Sequence, residues 1–89
     1  MIYGIASHPV QDFDTWKPIF DSDMDRAHAN GITFIKLLRS VENPNDVNIF
    51  FSVPSKEAFD AFANNPILAE KMQAAGVLAP PVFRFFTEA

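Results

Sequence analysis

Two histidines and ten phenylalanines, with one tryptophan and one tyrosine, are the residues of this sequence best suited to chemistry. His8 follows the apolar run Ile2-Tyr3-Gly4-Ile5 and precedes Pro9, where a first strand gives way to a turn. An imidazole with an ordinary pKa near 6.5 exchanges protons around neutrality, which suits a general base or a ligand-orienting group. A histidine bonded to a loop carbonyl at a strand end would serve structure alone. Trp16, Phe20 and Met24 recur every four residues and form one stripe of a helix. Together with Tyr3 they can wall a pocket for a flat or greasy ligand, and the same stripe can equally be core. Arg84 stands among apolar residues of the last strand. It can pair with a ligand carboxylate, or with Glu42 or Glu88 of a second copy.

Other constellations are weaker. His28 lies near the C-terminal end of the first helix, where a cation suits the helix dipole. His8 and His28 flank that helix from opposite ends with no third ligand nearby, so no metal is expected. Asp21, Asp23 and Asp25 share the spacing of a calcium loop, but Arg26 and Ile32 stand where its glycine and closing glutamate belong. Those aspartates read as helix surface. There is no phosphate-binding glycine loop and no serine elbow, and nothing calls for a cofactor.

The elements that must position these residues follow from periodicity and caps. Residues 2–8 read as a strand. Residues 12–29 read as one amphipathic helix, with Phe13, Trp16, Phe20, Met24 and Ala27 on its inner stripe. Asp12 or Asp14 is its N-cap, Pro18 argues for a regular start at about residue 14 or later, and Gly31 closes it. Residues 32–42 make a second strand, Asn43-Pro44-Asn45-Asp46 a turn, and residues 47–53 a third strand. Ser55 caps a further helix that Asn65-Pro66 restarts and Gly76 ends, and residues 82–87 form the last strand. The order is βαββαβ, a ferredoxin-like α+β unit with two helices on one face of a four-stranded antiparallel sheet.

The 89 residues allow one domain, and a chain of that size builds a marginal core. Without cysteine it has no disulfides to reinforce it. Residues 32–42, 47–53 and 82–87 carry apolar side chains on both parities, yet two helices cover only one face of a sheet. The remaining face is expected to pair with that of a second copy, giving a homodimer. A net charge of −4 with no basic stripe argues against nucleic acid as a partner. No run approaches a membrane span and the N-terminus lacks signal-peptide character, so a cytoplasmic protein is the expectation.

The βαββαβ order, the opening His8-Pro9-Val10-x-Asp12-Phe13-Asp14-x-Trp16 and the approach Ala75-Gly76-Val77-x-x-Pro80-Pro81 resemble the small dimeric α+β barrel proteins. That superfamily includes antibiotic-biosynthesis-monooxygenase-like and stress-responsive barrel domains. The resemblance implies a pocket between sheet and helices, but the superfamily hosts several reactions and also plain binders. Two readings stay open. One is a dimeric binder or cofactor-independent monooxygenase- or isomerase-like enzyme for an aromatic or acyl ligand, with His8 as base and Tyr3, Trp16, Phe20, Met24 and Arg84 around the ligand. The other is a non-enzymatic dimeric scaffold without a pocket.

Overall fold

A computed structural model describes residues 1–89. Its elements are β1 (Ile2–Pro9), α1 (Phe13–Ser22), α2 (Met24–Ala29), β2 (Thr33–Arg39), β3 (Asp46–Val53), α3 (Lys56–Ala63), α4 (Pro66–Ala74) and β4 (Val82–Thr87). The four strands pair antiparallel in the order β2-β3-β1-β4, as the βαββαβ reading expects. No helix is long and apolar enough to cross a membrane.

Alternation sorts the side chains of the two central strands. Gly4, Ala6 and His8 of β1 and Val47, Ile49, Phe51 and Val53 of β3 are buried under the helices. Trp16 of α1, Phe59 and Phe62 of α3, and Ala75 after α4 close the core over them. Gly4 faces Phe51 across the sheet, and the phenylalanine ring occupies the space a side chain would need. A Cβ at Gly4 would stand 2.8 Å from Phe51 Cε2 and 2.9 Å from Cε1.

Caps hold the helices where the sequence placed them. Asp12 accepts from Thr15 N, Ser55 from Ala58 N and Asn65 from Ile67 N. Gly31 and Gly76 follow their helices at φ 81° and 79°, the left-handed region that favours glycine.

Three expectations are corrected. The helix over 12–29 is two segments, because Asp23 leaves helical geometry to face inward and caps α1 with its backbone N–H. Helix α1 starts at Phe13 despite Pro18, whose missing N–H leaves the carbonyl of the exposed Asp14 open to water. Strand β2 ends at Arg39 and bulges at Ile35, where the register passes from Phe34↔Phe51 to Lys36↔Phe50. The bulge turns both Phe34 and Leu37 onto the core, which simple parity had set on opposite faces.

The face of the sheet away from the helices carries Tyr3 and Ile5 of β1, Leu38 of β2, Phe50 of β3, and Val82 and Phe86 of β4. Leu38, Val82 and Phe86 are 49 %, 63 % and 39 % exposed, so nothing within the chain covers this apolar surface.

Candidate functional site

His8 lies near the end of a central strand, opposite Val47, and its side chain points under the helices. The chain around it is tied on two sides. Val10 N donates to Asn45 O and Leu78 N donates to Pro9 O, while Asn45 Oδ1 accepts from Phe13 N at the start of α1. The imidazole is therefore held against α1, where it meets the Trp16 ring edge-on at 5.7 Å between centroids. Only 6 % of His8 is exposed, and its Nδ1 is buried without a hydrogen-bond partner. Burial pushes the imidazole pKa below its ordinary 6.5, while the Pro9 backbone and the Asp46 carboxylate pull less strongly the other way. The neutral, proton-accepting form therefore prevails at neutral pH.

Two groups of aromatic rings pack within the core. Trp16 stacks on Phe20 at 4.7 Å, and Phe20 meets Phe34 at 5.0 Å. In the second group Phe51 stacks on Phe59 at 5.4 Å, and Phe59 meets Phe83 at 5.1 Å. Rings of both groups line a cavity of about 90 Å³ whose wall includes His8. Met72 and Pro81 are shared with an outer hollow of about 270 Å³ formed by α4 and the segment after it. Sites for drug-sized ligands occupy roughly 300–1,000 Å³, so the inner cavity suits one small ring.

The structure brings together part of the expected site. His8, Trp16 and Phe20 line the cavity. Met24, half-buried in the second helical segment, does not. Tyr3 and Arg84 lie on the opposite face of the sheet, beyond reach of the cavity. There the Tyr3 hydroxyl donates to Glu88 Oε1 at 2.7 Å, an arrangement that raises the phenol pKa. Arg84 packs over the Phe86 ring at 5.4 Å. The sequence held the signal for Tyr3: it is five positions from His8 in one strand, an odd spacing that sends the two side chains apart.

Sequence reasoning missed Asp23 and Lys71. Asp23 is not helix surface; it is 8 % exposed and lines the cavity with Lys71. Its carboxylate accepts from Arg26 Nε and Nη2, both at 2.9 Å, a two-pronged pair at the i, i+3 spacing. That spacing was the available clue. No group of three or more His, Asp or Glu side chains is placed to hold a metal ion.

No protein-family model matches the sequence, and no curated protein matches it. Solved structures do match its fold. A proposed antibiotic biosynthesis monooxygenase from Bordetella bronchiseptica superimposes with a TM-score of 0.79 at 18 % identity, over 99 % of this chain and 96 % of that one. Another from Caulobacter crescentus gives 0.78 at 17 % identity, over 99 % and 89 %. SnoaB, a cofactor-independent oxygenase from Streptomyces nogalater, gives 0.71 at 15 % identity, over 98 % and 91 %. The chain thus has the ferredoxin-like α+β fold of the antibiotic-biosynthesis-monooxygenase-like proteins.

Proposed function

We propose that this protein is a homodimeric binder of small hydrophobic molecules that oxygenates a ring-bearing ligand without a cofactor, using His8 as base. The observation that carries this reading is a buried, neutral histidine among the lining residues of a cavity that is mostly apolar and rich in aromatic rings. Neutral His8 takes a proton from an activated CH₂ of the ligand. The resulting carbanion gives its electrons to dioxygen, the carbon ends as C=O, and the second oxygen atom leaves as water. All four electrons come from that carbon, so no outside reductant is required. The fold shared with SnoaB, itself a cofactor-independent oxygenase, supports the choice of reaction.

Pairing of the outer sheet faces supplies the homodimer in this reading. Several hundred Å² of apolar surface per subunit, at about 25 cal/mol per Å², is worth on the order of 10 kcal/mol before association costs.

Native mass spectrometry combined with oxygen uptake tests the proposal. A dimer that carries a small molecule lost on denaturation, and oxygen uptake with that molecule cut about 10²- to 10⁴-fold by His8→Gln, is the expected result. The modest inner volume favours one competitor, a non-enzymatic dimeric scaffold. A clean dimer that binds no ring compound and consumes no oxygen would establish that reading instead.

A further inference from the structure

We propose that the more exposed end of the cavity is an anion subsite in which Lys71 binds a carboxylate, or an equivalent anionic oxygen, carried by the ligand. The inference deepens the reading above and rests on the cavity being a ligand site. Asp23 and Lys71 are the acidic and basic side chains of a wall that is otherwise mostly apolar. Both carboxylate oxygens of Asp23 already accept from Arg26 at 2.9 Å. The Arg26 guanidinium also packs 4.3 Å from the Phe62 ring centroid and donates to Phe62 O at 3.3 Å. Arg26 and Asp23 thus form a closed, neutral unit.

Lys71 is left over. Its Nζ stands 3.9 Å from Asp23 Oδ1, at the limit of an ion pair, and its one hydrogen bond goes to the neutral Ser22 hydroxyl at 2.9 Å. The cluster therefore holds one positive charge beyond its negative one, at the rim of an apolar cavity in a protein of net charge −4. About a third of the Lys71 side chain is exposed, so the ammonium can turn toward a bound anion without unburying the core. An apolar wall beside a single ammonium with free donors suits an amphipathic ligand whose ring enters and whose acid group stays at the rim.

Phenylacetate and phenylacetamide have nearly the same shape and differ in charge. Trp16, the sole tryptophan, lines the cavity, so its fluorescence reports the binding of either probe. Phenylacetate is expected to bind the intact protein about two- to fivefold more tightly than the amide, the ratio one modest ion pair provides. That ratio should fall to near one in Lys71→Met and in Lys71→Gln, and survive in Lys71→Arg. Equal affinities in the intact protein, or a preference that persists in Lys71→Met and Lys71→Gln, would overturn the subsite and leave the cavity reading standing. If neither probe perturbs Trp16 in any variant, the cavity reading falls as well.

Discussion

The imidazole of His8 meets the indole of Trp16 at 62° with 5.7 Å between ring centroids. A protonated imidazole quenches a neighbouring indole, so the sole tryptophan reports the charge of the candidate base. Fluorescence should rise with pH through a single step whose midpoint lies below the ordinary 6.5, because burial disfavours the cation. His8→Gln should abolish the step. A midpoint at or above 6.5 in the intact protein would show the imidazole to be solvated and the site misread.

The same burial makes stability depend on pH with a definite sign. The unfolded chain protonates His8 below pH 6.5, while the folded chain resists until its lower pKa is reached. Stability is therefore lost as pH falls from 6.5 toward that lower pKa, and this contribution is flat above 6.5. Urea unfolding at pH 7.0 and 5.5 should show His8→Gln losing less stability between the two than the parent.

Gly4→Ala places a methyl group against the Phe51 ring, with Cε2 and Cε1 both under 3 Å away. Overpacking of this kind costs about 1–3 kcal/mol. A lower thermal midpoint is expected, and Phe51→Leu in the same chain should recover part of it. Losses that simply add would show that the ring and the glycine do not share the space.

Asp23→Ala removes the acceptor of two charge-assisted hydrogen bonds and leaves Arg26 over Phe62 with an unpaired charge. About 1.5–3 kcal/mol of stability should be lost. Denaturant midpoints of the single variants and of Asp23→Ala with Arg26→Met would check this. The double variant should be less unstable than the sum of its parts.

Ile5 and Phe50 face each other across the two central strands on the side away from the helices. Ile5→Glu places charge in the middle of that apolar face without touching the cavity. Light scattering at micromolar concentration should give twice the 10.0 kDa chain mass for the parent and a single chain mass for the variant. A parent of 10.0 kDa would refute sheet pairing.

The element order, the cap at Ser55, Asp12 as one of two cap candidates, the restart at Asn65-Pro66 and both left-handed glycines were legible because each follows from local pattern or backbone preference. Trp16 and Phe20 were legible for the same reason, being a helical stripe. The bulge at Ile35 was not, since a continuous apolar run has no marker for an extra residue. Nor was the inward turn of Asp23, which depends on Arg26 and on the approach of Lys71 from a helix far along the chain. Tyr3 and Arg84 were grouped with the pocket by residue type; strand alternation assigns them to the other face. Local rules carried the scaffold, and long-range contacts decided which side chains share the cavity.

The bulge at Ile35 also alters how this sheet meets other chains. Strand β2 is an outer edge, and its far side offers unpaired N–H and C=O groups as a template for aggregation. With Ile35 out of register, the ladder to β3 is split into Thr33–Phe34 and Lys36–Arg39, so the edge strand is kinked at its middle. Lys36 and Arg39 add charge to the longer piece. One extra residue thus interrupts the flat template that the β2 edge of this phenylalanine-rich sheet would otherwise present.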